Sequence, residues 1–458
     1  MIESYNIKVS SNKIARVIAK NVWGALRGLA TFSQLIWASP DNKVRINHTE
    51  IEDSPRFSHR GILVDTARHY IPVAVLLRNL DAMEFNKFNV LHWHIIDDQS
   101  FPYQSNTFPE LHNQAAYSSY HTYSSASVAE VIEHARLRGI RVIPEIGTPR
   151  HTYSIGRSHP ELIIRCNGSK RADDILNPAT NKTYAFLENL YTEISEVFRD
   201  KYIHIGMNDF DMSCWKTNEA VSNYMKKSGL VLMSQMARYY VTRIQKLIEK
   251  TAKNAIVWED PLDIGVKMHR RTVIVQVYKN WKRDPIGTVV RQEYRVIDST
   301  CWNTSSVPSP DAWKTDYLCD PHKFPGSILD YDLVVGGEML HWGMQIGSSN
   351  FFGSLWPRAA AVAERLWSTK STRDLDDAIF RLEEQRCRMI MLGIPSSPVI
   401  PGYCREEYDG YFRPSSSASK YTSSAAMMYI ALACIFDLLS QFFTGHDYGE
   451  YPHSAEPS

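Results

Sequence analysis

Residues able to hold or move protons recur directly after apolar, β-branched runs in this chain. Arg68 and His69 follow Gly61-Ile-Leu-Val-Asp65, and Asp97 and Asp98 follow Val90-Leu-His-Trp-His-Ile-Ile96. His151 follows Gly139-Ile-Arg-Val-Ile-Pro144. Asn208, Asp209 and Asp211 follow Tyr202-Ile-His-Ile205, and Glu259 and Asp260 follow Ala255-Ile-Val-Trp258. Carboxylates and imidazoles serve as general acids and bases, and arginine with aspartate grips polar ligands through charge-assisted hydrogen bonds. Any one of these residues could be an ordinary loop charge. Their recurrence after five successive runs points to the rim of an active site.

The elements that must position them follow from periodicity. Thr272-Val-Ile-Val-Gln-Val277, Tyr294-Arg-Val-Ile297 and Leu333-Val-Val335 bring the strand-like runs to eight. Continuous apolar runs of this kind suit parallel strands covered on both faces. Apolar residues at three- and four-residue spacing predict helices over 72–85, 183–198, 230–252, 356–367 and 374–392. Ser127-Val-Ala-Glu130 reads as a capping box opening another helix that ends before Gly139. Eight such alternations predict an α/β fold, a (β/α)₈ TIM barrel, in which function sits at the C-terminal ends of the strands. A doubly wound sheet is the competitor, but no G-x-G-x-x-G follows the first strand.

The 458 residues carry 51 Lys+Arg against 50 Asp+Glu, a net charge of +1 that argues against an electrostatic nucleic-acid partner. Seven cysteines show no C-x-x-C spacing, and no metal or organic cofactor is implied. N-x-[ST] acceptors at Asn47, Asn167, Asn181 and Asn303 hint at secretion. No signal peptide is visible at Met1. A strand at Tyr5–Ser10 and a helix at Ala25–Ile36 read as the middle of a domain, an expectation that something precedes them. We divide the chain into a partial α/β domain (1–54), the barrel (55–410), and a Ser-rich linker with an apolar tail (411–458). The uninterrupted apolar run 425–436 is shorter than the roughly 17–25 residues a spanning helix needs, so a packing helix is the better reading than a membrane anchor.

Three motifs carry a resemblance. Arg60-Gly-Ile-Leu-Val-Asp-Thr-Ala-Arg-His-Tyr70, His92-Trp-His-Ile-Ile-Asp-Asp98 with Ser100-Phe-Pro102, and His204-Ile-Gly206 with Cys214-Trp215 resemble glycoside hydrolase family 20, the β-N-acetylhexosaminidases, and most closely the animal lysosomal α and β subunits. Trp23-Gly-Ala-Leu-Arg-Gly-Leu29 and Leu355-Trp-Pro-Arg-Ala359 extend the likeness across most of residues 1–410. It implies an α/β domain before a barrel, lysosomal or secreted location, a homo- or heterodimer, and disulfides Cys166–Cys214 and Cys387–Cys404. Cys301, Cys319 and Cys434 have no such counterpart.

The resemblance also implies a reaction. Family members remove terminal β-linked N-acetylhexosamine with retention, the substrate's own acetamido oxygen acting as nucleophile. An acid protonates the departing oxygen, a carboxylate orients the acetamido N–H and offsets the cation, and a phenol holds the acetamido oxygen. The family supplies the first two as Asp-Glu; this chain has Asn208-Asp209. Asn303 stands for the tyrosine, Gly147 for an aspartate, Arg150 and Met207 for glycines, Met344 for a sugar-binding glutamate and Tyr278 for a pocket tryptophan. Arg68, Asp97, His151, Trp258 and Trp342 match sugar-binding positions. The expectation is a hexosaminidase-like barrel with impaired catalysis; the alternative is an inactive carbohydrate-binding protein or dimer partner of an active paralogue.

Overall fold

The computed structural model describes residues 3–404 apart from 12, 13, 40, 42, 167–173, 210, 211, 305–308 and 310. The apolar tail, Cys434, Asn167 and Asp211 lie outside the described residues. The described chain divides between Ser54 and Pro55 into two compact units.

In the first unit, β1 (Tyr5–Val9) is flanked by antiparallel β2 (Ala15–Ala19) and β5 (Thr49–Asp53), with β3 (Ile36–Ala38) and β4 (Val44–Ile46) forming a separate antiparallel pair. Alternation along β1 buries Tyr5, Ile7 and Val9. A helix over Val22–Gln34, capped by Asn21 on the Gly24 N–H, covers the sheet. Gly28 permits the close approach: a Cβ there would lie 2.6 Å from Val17 Cγ1. A buried ion pair joins Arg27 to Glu3 at 3.0 Å.

Among the described residues of the second unit, eight parallel strands close a barrel. They are β6 (His59–Asp65), β7 (Val90–His94), β8 (Arg141–Thr148), β11 (Tyr202–Gly206), β12 (Asn254–Trp258), β13 (Val273–Val277), β14 (Arg295–Asp298) and β15 (Val334–His341), the last pairing with β6. A two-residue hairpin, β9 (Ile163–Ile164) with β10 (Ile175–Leu176), lies in the excursion after β8. All eight expected strands are present. Two run further than their β-branched stretches: β8 continues to Thr148, and β15 passes through Gly336 and Gly337 to His341. Those glycines hide the strand from a propensity reading. They are required by crowding, since a Cβ on Gly336 would overlap the His59 carbonyl and one on Gly337 the Trp302 ring.

The helix before β8 spans Ser125–Leu137, and its cap is Ser124, not Ser127. Ser124 takes the extended conformation and its hydroxyl accepts the Ser127 N–H at 3.1 Å, which makes Ser127 the third residue of the first turn. The pairs Cys166–Cys214 and Cys387–Cys404 form as the resemblance implies. Cys301 and Cys319, without counterparts in it, form a third disulfide.

Inward-facing residues stack in layers, as strand alternation demands. Val90, Ile143, Ile256, Ile274 and Ile297 form an apolar layer. Beside it, His92, Glu145, His204, Gln276 and Glu338 form a polar one. Toward the C-terminal ends, Leu63, Trp258 and Leu340 cluster, with Tyr278 and Trp342 packed against them.

Candidate active site

The site rests on the buried polar layer. Glu145 receives Trp258 Nε1–H at 2.9 Å and lies 3.2 Å from both His92 and His204, with His94 closer still. Glu338 holds His92 at 2.6 Å, Gln276 at 2.9 Å and His59 at 3.0 Å. Burial works against charge here, yet the mutual attraction wins. Opposite-charge partners lift His92 to about 9 and His94 to about 10, and neighbouring histidines hold both carboxyls below their ordinary range. This network fixes the orientation of Trp258 and His94 beneath the mouth.

Above it, Arg68 is clamped by two carboxylates, Asp65 at 2.7 Å and Asp97 at 2.8 Å, and its guanidinium lies 5.0 Å from the Trp342 ring centroid. Asp97 also binds His94 at 2.8 Å and His151 at 3.2 Å. Burial opposes its ionisation, but His151, His94 and Arg68 together keep Asp97 ionised. Trp342 meets His94 edge-on at 5.1 Å and Trp258 at 6.0 Å, and Tyr278 meets Trp258 edge-on at 5.3 Å. Thus Arg68, Asp97, His151, Trp258, Tyr278 and Trp342, drawn from six loops and strands, converge on one mouth.

The fourth barrel strand delivers Asn208 and Asp209. After Gly206, whose φ is +72°, the chain turns through left-handed Met207 (+74°) and Asp209 (+51°). Gly206 abuts Gly147: a Cβ on it would lie 2.6 Å from Gly147 Cα. A Cβ built on Gly147 meets nothing within 4 Å, so the position is open. Asp209 Oδ2 sits 3.2 Å from His151 Nε2, and Asn208 Nδ2 is also 3.2 Å from that nitrogen. Asp97, Asp98 and Asp209 overcome the burial of His151 and hold its imidazole protonated. The hydrogen bond from His151 lowers the Asp209 carboxyl pKa, burial resists, and the charges of His151, Arg150 and Lys279 add to the lowering.

Asn303 is exposed and pairs with Leu340 of β15. Met344, at 61% exposure, points to solvent and does not fill the mouth. Arg150 is half-buried and contributes its charge to Asp209.

Comparison with known proteins bears on the family. The model of the glycosyl hydrolase family 20 catalytic domain matches residues 57–370. The chain belongs to glycosyl hydrolase family 20. A second model, beta-acetyl hexosaminidase like, matches residues 1–35 of this family 20 protein. Human beta-hexosaminidase subunit beta is 44% identical over 410 residues, 88% of this chain and 73% of that protein. The subunit alpha of Bos taurus is 42% identical over 420 residues, 89% of this chain and 78% of its own. Among solved structures, a chitobiase of Flavobacterium johnsoniae superposes with a TM-score of 0.78 at 29% identity, covering 86% of this chain and 60% of that one.

Sequence reasoning named Glu259 and Asp260 at the mouth without a role. Asp260 accepts the Asp209 N–H at 3.0 Å and Lys279 Nζ at 2.8 Å, so it anchors the turn that carries Asp209. Glu259 accepts the N–H groups of Tyr278 and Lys279, and burial beside Asp260 pushes it up to about 7. Asp65, Glu145 and Glu338 were not recognised as supports. Their signal was present, since each occupies an inward-facing strand position where an apolar residue is the default.

Proposed function

We propose that this family 20 chain recognises terminal β-linked N-acetylhexosamine on glycoconjugates through Arg68, Asp97, Trp258 and Trp342, and that its hydrolytic step is severely slowed. The charged pair Arg68–Asp97 offers strong hydrogen bonds to sugar hydroxyls, and the tryptophan faces suit carbohydrate C–H surfaces. One observation carries the catalytic half of the reading: Asp209, at the position that the resemblance gives to the proton donor, has its Oδ2 3.2 Å from His151 Nε2, and this hydrogen bond lowers its pKa. A general acid must carry its proton at the working pH, and a lowered pKa works against that. Asn208 can accept the acetamido N–H through its oxygen but brings no charge against the oxazolinium cation. The three disulfides support synthesis on an oxidising route, in keeping with a lysosomal or secreted protein.

A second reading, a purely carbohydrate-binding protein or the silent partner of an active subunit, is favoured by the Arg68–Asp97 pair and the tryptophans standing together while Met344 is exposed. Calorimetric titration with N-acetylglucosamine and its thiazoline, alongside hydrolysis of an aryl N-acetylglucosaminide at acidic pH, tests both. Binding with slow turnover that disappears in Asp209→Ala supports the impaired enzyme. Binding with none supports the second reading. Turnover at ordinary glycosidase rates that Asp209→Ala abolishes overturns the impairment.

A further inference from the structure

Asn303 is both a residue of the mouth and the acceptor of an Asn303-Thr304-Ser305 sequon. The Leu340 N–H donates to the Trp302 carbonyl at 2.7 Å and the Thr304 N–H to the Leu340 carbonyl at 2.8 Å, so residues 302–304 run as a short parallel ladder beside β15 with Asn303 opposite Leu340. Paired residues share a face of the sheet and their neighbours take the other. Trp302 and Thr304 are buried on the outer side, where Trp302 Nε1 donates to the Asp316 carbonyl and Thr304 Oγ1 meets His341 Nδ1 at 2.7 Å. Leu340 points inward and packs with Trp258. Asn303 therefore lies on the same side as Leu340 and is exposed.

The three disulfides place synthesis of this chain in an oxidising compartment, the setting in which asparagine acceptors are glycosylated. We propose that Asn303 carries an N-linked glycan, and that this glycan stands across the barrel mouth and bars large glycoconjugates from the pocket while small sugars still enter. Its placement follows from the ladder register; its effect on ligands rests on the sugar-pocket reading above. In the transfer, Asn303 Nδ2 attacks the anomeric carbon of a lipid-pyrophosphate-linked oligosaccharide. The new C–N bond forms as the C–O bond to pyrophosphate breaks, the lipid pyrophosphate leaves with that electron pair, and the amide loses one proton to a base. The step acts on extended chain, so the later burial of Thr304 does not oppose it.

The test uses the full chain secreted from eukaryotic cells. Mass spectrometry of its peptides reads occupancy at Asn303, with Asn47 and Asn181 as internal comparisons. Ser305→Ala removes the acceptor motif and keeps the asparagine. Binding is measured with N-acetylglucosamine and with a glycopeptide ending in β-linked N-acetylglucosamine. The expected result is an occupied Asn303 and about tenfold tighter glycopeptide binding by S305A, an affinity change of about 1.4 kcal/mol, with N-acetylglucosamine bound equally by both. Trimming the wild-type glycan to its first sugar on the folded chain must give the same gain, which keeps the test independent of how S305A folds. An unoccupied Asn303, whether or not Asn47 and Asn181 carry glycans, overturns the proposal. So does an occupied Asn303 whose removal leaves glycopeptide binding unchanged. If Asn303 is occupied and no form of the chain binds either sugar, the pocket reading fails and the barring role with it, while the modification stands.

Discussion

The proposed slowing of hydrolysis predicts that Asn208→Asp together with Asp209→Glu speeds the reaction, and the geometry sets the size of the gain. Asp209 reaches inward to His151 at 3.2 Å, and its hydrogen bond there keeps it ionised. A glutamate adds one methylene, about 1–1.5 Å of reach, against a transfer distance of roughly 2.6–3.2 Å. A misplacement of about 1 Å costs on the order of 10²-fold. A missing electrostatic stabiliser such as the carboxylate absent at Asn208 costs about 10²–10³-fold more. Taken independently the two defects amount to about 10⁴–10⁵-fold, roughly 5.5–7 kcal/mol of barrier. Groups that act as a unit are not additive, so each single reversion should recover little and the double variant most of the gain. Gly147→Asp adds a further step at low steric cost, because a Cβ there has open space around it. The assay is kcat/KM for an aryl N-acetylglucosaminide across mildly acidic pH. A double variant that melts with the wild type and binds N-acetylglucosamine equally well, yet turns over less than about tenfold faster, would refute the reasoning.

Other consequences concern the scaffold. Glu338→Gln takes from buried, protonated His92 the carboxylate 2.6 Å away, leaving it Glu145 alone, and should cost up to about 3–5 kcal/mol in denaturant unfolding. Gly206→Ala forces a side chain into a left-handed turn and against Gly147, so a loss of at least about 1–3 kcal/mol is expected, read as a lowered melting temperature. Because the fold raises His92 to about 9 and His94 to about 10 from 6.5, their contribution is complete below the unfolded value and disappears as pH climbs through the folded ones. The melting temperature should therefore fall between neutral pH and pH 10, and a flat profile there would contradict the charged network. Breaking Cys301–Cys319 with paired serines should cost about 3 kcal/mol, and non-reducing peptide mapping should recover the linked pair.

Much of this protein was legible before any fold was drawn. Fully buried parallel strands need apolar side chains on both faces, so Val273–Val277 and Ala255–Trp258 announce themselves locally. Helix starts were less legible: Ser124, Ser125 and Ser127 are all competent caps, and only the extended backbone at Ser124 chooses among them. Strand β15 was cut short because Gly336 and Gly337 answer to His59 and Trp302, residues remote in sequence.

The chain's own order of residues settled the barrel and the family, because each is carried by contiguous runs. Tertiary structure alone decided which charges meet. That His151 lies between Asp97 and Asp209, that Cys301 finds Cys319 and that Asn303 pairs with Leu340 depend on how the strands close and on their register, and no local spacing encodes a contact made across the barrel.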